Sequence, residues 1–290
     1  MTLSEISTII YDALVYIGLA LAIFFVGKLV YQLVNKSVNV KEELVRKDNL
    51  AFSLAHVGYF IGLLLAIGSA IVGPTKGLVT DIIEISVYGL LAIVLLNVSV
   101  IITDKILLRN FSVKKEILED RNAGTGIIEG AVSIASGLII FGAVSGETQG
   151  GMLEGITSAV LFWLIGQVAL LLVSVIYNAI TPYDIHEHIE KDNVAVGIGF
   201  AGALVAMANL IRFGLSGDFE SWTISLTNTG IEIVVGIILL PVMRFLSDKI
   251  LLPGEKLTDE IINQEKPNNG AAIIEAFSYI GGSVLITWCL

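Results

Sequence analysis

Long apolar stretches alternate with short polar connections along the whole chain, and the stretches set the architecture. Hydrophobic runs cover residues 10–35, 51–73, 79–104, 124–145, 155–180, 194–215, 223–248 and 269–290. Each is near the roughly 20 residues an α-helix needs to cross the hydrocarbon core of a bilayer. The pattern predicts an all-α integral membrane protein with eight transmembrane helices, spans one to eight. No connection is long enough to hold a separate folded domain, so any activity belongs to the bundle or its loops. The leader MTLSEIST carries Glu5 and neither Lys nor Arg, and the run after it is longer than the core of a secretory signal, so span one reads as a retained helix.

Internal self-similarity refines this picture. Lys47-Asp48-Asn49 recurs as Lys191-Asp192-Asn193, and Asp104-Lys105-Ile106-Leu107-Leu108 recurs as Asp248-Lys249-Ile250-Leu251-Leu252, both 144 residues later. Residues 122–129 (NAGTGIIE) match 268–275 (NNGAAIIE) 146 residues on. The chain therefore reads as two tandem four-helix units, 1–146 and 147–290. Each divides again: Asn49, Asn122, Asn193 and Asn268 precede the even spans, and Glu43, Glu116, Glu187 and Glu260 recur before them at spacings of 73, 71 and 73. The elementary unit is a hydrophobic helix, an elbow with Glu and Asn, and a small-residue helix. Two crossings per unit make these four parallel two-helix repeats, which suit a closed ring or a pore-like assembly.

Even spans carry small residues four apart: Gly58 and Gly62, Gly126 and Gly130, Ser133 and Gly137, Ala195 and Gly199, Gly202 and Ala206, Ala272 and Ala276, Ser278 and Gly282. Such pairs let helix backbones approach closely where lipid already solvates apolar side chains. The even spans are thus expected inside, with bulky aliphatic odd spans towards lipid. Of the 17 Lys and Arg, 14 fall in the connections after spans one, three, five and seven, among them Arg109. Only Lys76 and Arg212 lie on the opposite side, and Lys28 sits near the inner end of span one, where it can snorkel. Cytoplasmic loops retain positive charge, so the elbows are expected in the cytoplasm and both termini outside, with Trp222 and Trp288 in an outer aromatic belt.

Composition excludes several classes. The chain is 55% hydrophobic and 15% charged, with a mean hydropathy of +0.84. Its net charge of −10 argues against nucleic acid, which needs a basic face. The lone Cys289 excludes an internal disulfide framework. No nucleophile elbow, phosphate loop, dinucleotide fingerprint or zinc-protease helix is present, so no enzyme activity and no cofactor are expected. His186-Glu187-His188 has too few ligands for a metal site and reads as a solvated loop.

The chemistry that remains lies inside the spans. Seven residues after each repeated Asn stand His56, Glu129, Phe200 and Glu275. At about 1.5 Å per residue this is roughly 10 Å inside the elbow end. Intramembrane carboxylates are costly and mark ion or proton pathways, or else bond to neighbouring helices as polar glue. Glu232, deep in span seven with Pro241 nine residues on, is a secondary candidate. Asp12, Asp81, Glu84, Glu154 and Glu220 lie near outer ends and face headgroups or water. Asn97, Gln167, Asn178 and Asn209 either line a polar path or bond to a neighbouring helix. The elbow carboxylates Glu43, Glu116, Glu187 and Glu260 either form an acidic ring that attracts cations, or cap and salt-bridge the elbow.

The entries Asn49-Leu50-Ala51, Asn122-Ala123-Gly124, Asn193-Val194-Ala195 and Asn268-Asn269-Gly270 into the even spans resemble the YjfL-like bacterial inner-membrane proteins, a domain of unknown function built of paired helices. The resemblance covers essentially the whole chain and implies a fused tandem of two such units in the inner membrane. It brings no reaction or substrate. Two functions are therefore expected: a conduit or transporter for a small ion, a proton or cation, or alternatively a non-transporting scaffold or envelope-stress partner. The expected partners are the lipid bilayer, a small ion, and a second copy or another membrane protein.

Overall fold

A computed structural model describes residues 3–108, 112–146, 150–219, 221–252 and 254–289. Arg109, Glu220 and Leu290, which entered the loop charges, the outer acids and the last span, lie outside the described residues. The described residues are helical with no strand, and eight helices are long and apolar enough to cross a membrane. They are span one Leu3–Val34, two Leu50–Gly68, three Leu78–Ile106, four Ala123–Val144, five Gly151–Ile180, six Val194–Leu215, seven Trp222–Leu246 and eight Asn269–Cys289. Short elbow helices Val113–Leu118, Ile185–Glu190 and Leu257–Ile262 precede spans four, six and eight, and a π-helical turn Glu42–Arg46 precedes span two. Span seven is longer than its hydrophobic run, because a second π-turn, Ser247–Leu251, continues it.

The repeated Asn starts each even span. Its side-chain oxygen accepts the backbone N–H three residues on, from Phe52, Thr125, Val196 and Ala271 at 3.1, 3.0, 3.2 and 3.1 Å. This satisfies one of the orphan donors at a helix N-terminus. The residue before it is left-handed in three elbows, with φ of 48° at Asp48, 56° at Arg121 and 61° at Asp192. A short polar side chain tolerates that conformation at Asp48 and Asp192, and there the chain reverses from elbow into span. The fourth elbow reaches Asn268 through Pro267 instead.

The same Asn ties the start of spans two, four and six to the elbow that follows. Its amide nitrogen donates across to an elbow carbonyl, Asn49 to Ile117 O at 2.8 Å, Asn122 to Ile189 O at 2.7 Å and Asn193 to Ile261 O at 3.0 Å. Asn268 donates instead to Glu260 Oε2 of its own elbow at 2.7 Å.

Spans two, four, six and eight pack side by side in one row, and spans one, three, five and seven flank them in a second. The first row is close because glycines bring backbones together. A Cβ on Gly58 would lie 2.1 Å from Gly130 Cα, one on Gly137 2.4 Å from Gly62 O, and one on Gly202 2.4 Å from Ala276 Cα. In every unit the even span is more buried than its odd partner. Spans two and eight do not form a packed pair, so the row stays open rather than closing into a ring. Side-chain size at the row's ends accounts for this. Where span four offers Gly130 and Gly137 to span two, the matching positions of span two are Val57 and Leu64, 55% and 58% exposed. Where span two offers Gly58, span eight has Phe277, 65% exposed. Bulky residues prevent another helix from docking there at backbone distance.

Candidate functional site: a half-buried acid pair in the first half

Span three runs antiparallel to span four, so the last turn of one lies beside the second turn of the other. This brings Asp104 against Glu129, their carboxyls in hydrogen-bonding contact. Asp104 Oδ1 and Glu129 Oε2 are both enclosed, and no donor among the described residues reaches either. Ionised carboxylates only accept hydrogen bonds. Two carboxylates that face each other repel, and a proton or cation between them would relieve that repulsion.

The pair lines a cavity of about 210 Å³ that extends to the elbow through Asn35, Lys114 and Leu118. Tyr31, Tyr59, Asn97, Val100 and Ser133 form its other walls. Asn97 donates to Tyr59 Oη at 3.1 Å and to Ile93 O at 2.8 Å, and Tyr59 donates in turn to Gly27 O at 3.3 Å. Lys114 Nζ is bonded to Ser37 Oγ at 2.5 Å. Among the described residues neither acid of the pair has a salt-bridge partner.

The second half treats the equivalent glutamate differently. Glu275 is fully buried, and its Oε1 accepts from Arg244 Nη1 at 2.5 Å, Tyr279 Oη at 3.0 Å and Tyr177 Oη at 3.3 Å. Arg244 also reaches Thr258 Oγ1 at 3.3 Å and lies over the Tyr183 ring at 5.7 Å. Asp248, which matches Asp104, turns away to accept the Leu257 N–H at 2.6 Å. Arg244 stands 144 residues after Val100, the residue that lines the first-half cavity. One repeated carboxyl thus sits in an acid pair beside a cavity, and the other in a fixed ion pair.

His56 lies among aromatic rings, with Phe52 stacked at 5.2 Å, Phe60 edge-on at 4.6 Å and Tyr31 at 4.9 Å. Its Nδ1 has no hydrogen-bond partner. Phe200 packs on Tyr177 at 5.4 Å. Glu232 is buried against Gly214, where a Cβ would meet its Cγ at 2.7 Å, and its Oε2 has no donor. Asn209 bridges to Ser283 Oγ at 3.2 Å, and Asn178 Oδ1 accepts from Ile185 N at 2.9 Å.

The elbow carboxylates bond within their own elbows. Asn49 and Lys47 donate to Glu43 at 2.9 and 2.7 Å. Burial opposes ionisation of Glu43, but these bonds outweigh it and hold the carboxyl below its ordinary range. At Glu116 burial prevails over the Asn122 hydrogen bond of 3.1 Å and raises the carboxyl, helped by Asp120, which stands where the first elbow has Lys47. Lys191 pairs with exposed Glu187 and lowers it. Glu260 accepts from Asn268 and Gln264 at 2.7 and 3.1 Å.

At the other end of the spans a second cavity, of about 380 Å³, is lined by Tyr16, Asp81, Glu84, Tyr88 and Asp218 among others. Asp81 Oδ2 accepts from Tyr16 and Thr75 at 2.6 and 2.5 Å, and Lys76 pairs with Glu84 at 3.2 Å. Buried Leu63, Ala66, Ala92, Leu96 and Ile139 lie at intermediate levels of the same helices.

Asp104 is the site residue that hydropathy missed. It sits in the repeated Asp-Lys-Ile-Leu-Leu block, which reads as the polar end of span three. The available signal was that this acid falls in the last turn of an apolar helix, at the same depth as Glu129 across an antiparallel hairpin.

The chain belongs to the family described as Domain of Unknown Function (DUF350), whose model matches residues 4–144 and again 151–290. It is 24% identical over 272 residues to a UPF0719 transmembrane protein of Aquifex aeolicus (strain VF5), covering 92% of this chain and 97% of that protein. No solved structure matches the chain. It is a multi-pass membrane protein.

Proposed function

We propose that this protein is a conduit or transporter for a small ion, a proton or cation, and that Asp104 and Glu129 of the first half carry the ion. The observation that carries this reading is a pair of carboxyls, each with one enclosed oxygen and neither with a salt-bridge partner among the described residues, at the head of a cavity that reaches the elbow. An ionised acid inside a bilayer costs several kcal/mol unless it is compensated, so an uncompensated pair marks a place where charge is exchanged. The cavity at the opposite end of the same helices gives the ion a second antechamber. From Ser133 in one cavity to Ala143 in the other, span four rises about 15 Å. Buried Ala135, Ile139 and Ile140 occupy that interval together with one polar side chain, Ser136, and narrow it as a closed gate would. The Lys and Arg asymmetry supports elbows in the cytoplasm, an inner-membrane location and outward termini.

The scaffold reading draws support from the second half, where Glu275 is neutralised and spans six and eight meet through Gly202 and Ala276. The two readings divide between the halves, and flux separates them. Purified protein in liposomes should pass protons or an alkali cation, and Asp104→Asn, Glu129→Gln and the double variant should reduce flux at least tenfold while remaining folded. No flux above empty liposomes over a panel of cations and anions would overturn the conduit reading. Unchanged flux in the folded double variant would reject these residues.

A further inference from the structure

The second half places a positive charge, Arg244, on its repeated glutamate, and no described residue of the first half does the same. Glu129 and Glu275 are matching residues of matching helices. Glu275 meets the guanidinium of Arg244, while the residue at that position in the first half, Val100, is apolar and lines an open space next to Glu129. The two enclosed oxygens there, Asp104 Oδ1 and Glu129 Oε2, have no donor among the described residues. Asn97 commits its N–H groups to Tyr59 and Ile93, so what it offers a guest is its carbonyl oxygen. Around the pair, away from Lys114 at the elbow end, the cavity therefore presents acceptors, which suits a cation there.

We infer that the first-half cavity binds one small positive charge, a proton or a dehydrated monovalent cation, between Asp104 and Glu129, in the place that the Arg244 guanidinium fills in the second half. This rests on the reading of the pair as ion-carrying groups, but it concerns binding and stands or falls without flux. At about 210 Å³ the cavity is smaller than the 300–1,000 Å³ usual for small-molecule sites, which favours a small guest. The other titratable groups around the pair are Tyr31 of span one, His56 and Tyr59 of span two, and Lys114 of the elbow, which is held by Ser37.

Substitution tests the inference by supplying the charge covalently. Val100→Arg should reproduce in the first half the ion pair of the second, with Val100→Lys as a shorter alternative should the first fail to fold. Thermal unfolding of the full chain in detergent is followed across pH and, at fixed alkaline pH, in sodium, potassium or choline chloride. The wild type should gain stability on acidification if the guest is a proton, or in sodium or potassium over choline if it is a metal cation. That response should vanish in Asp104→Asn/Glu129→Gln and in the folded Val100 variant, and persist in a Glu187→Gln control. A wild type that responds to neither, or a folded Val100 variant that responds like wild type, would overturn the inference. A guest-dependent response in a protein that passes no ion would retain the binding site and discard the conduit.

Discussion

Asn49→Ala probes how the units are held together. In the structure Asn49 is fully buried and makes three bonds: it caps span two through Phe52 N, reaches Glu43, and donates to Ile117 O of the next elbow. Losing the cap costs about 1 kcal/mol. Ile117 O, buried and with no other described donor, would lose its partner, at about 1–3 kcal/mol. The total is about 2–4 kcal/mol. Asn268→Ala removes the matching cap, but its other bond is to exposed Glu260, so about 1 kcal/mol is expected. Unfolding by denaturant in the same detergent gives both values. Hydrogen exchange should also rise in the helix Val113–Leu118 of Asn49→Ala alone. Equal losses in the two variants would refute the claim that this Asn joins successive units.

Other substitutions test packing and charge. Gly58→Ala forces a Cβ against Gly130 Cα and should destabilise by about 1–3 kcal/mol, whereas Gly18→Ala meets nothing within 4 Å and should be neutral or slightly stabilising; unfolding midpoints decide. Arg244→Met strands Glu275 as a buried charge and should cost about 3–5 kcal/mol, while Arg244→Met/Glu275→Met should recover most of it in the same assay. Because Glu43 is held below the ordinary carboxylate range, its contribution is present above about pH 4.3 and is lost as pH falls through its lower folded value. An acid titration of stability should therefore be shallower at that limb for Glu43→Gln.

The spans were legible in the sequence because each apolar run is long enough to cross a bilayer, and the even-span starts because the repeated Asn is a strong helix cap. The open row was not foreseen. Parallel repeats give the sense in which each unit crosses, but not the rotation between neighbours, which depends on the side chains at each contact. Val57, Leu64 and Phe277, aligned with Gly130, Gly137 and Gly58, held that information. Glu129 and Glu275 were recognisable as repeated acids, yet their different environments were not, because these depend on what the facing helix places opposite. Arg244 counted only as one more elbow-side charge, since hydropathy does not reveal that span seven continues through a π-turn and carries this side chain inward. Asp104 became visible only when the antiparallel hairpin set it against Glu129.

Infrared spectroscopy of the protein in lipid at neutral pH tests the central claim most directly, since a protonated carboxyl absorbs apart from a carboxylate and shifts in heavy water. If Asp104 and Glu129 share one exchangeable proton, the wild type should show a carboxylic-acid band that shifts on deuteration, disappears on titration to alkaline pH, and is lost in Asp104→Asn/Glu129→Gln. If the pair instead takes a metal cation, sodium or potassium should abolish the band at neutral pH while choline does not. A band unchanged in intensity in the double variant, or a wild type without one in choline buffer, would contradict the account of this pair as an exchangeable site for a single positive charge.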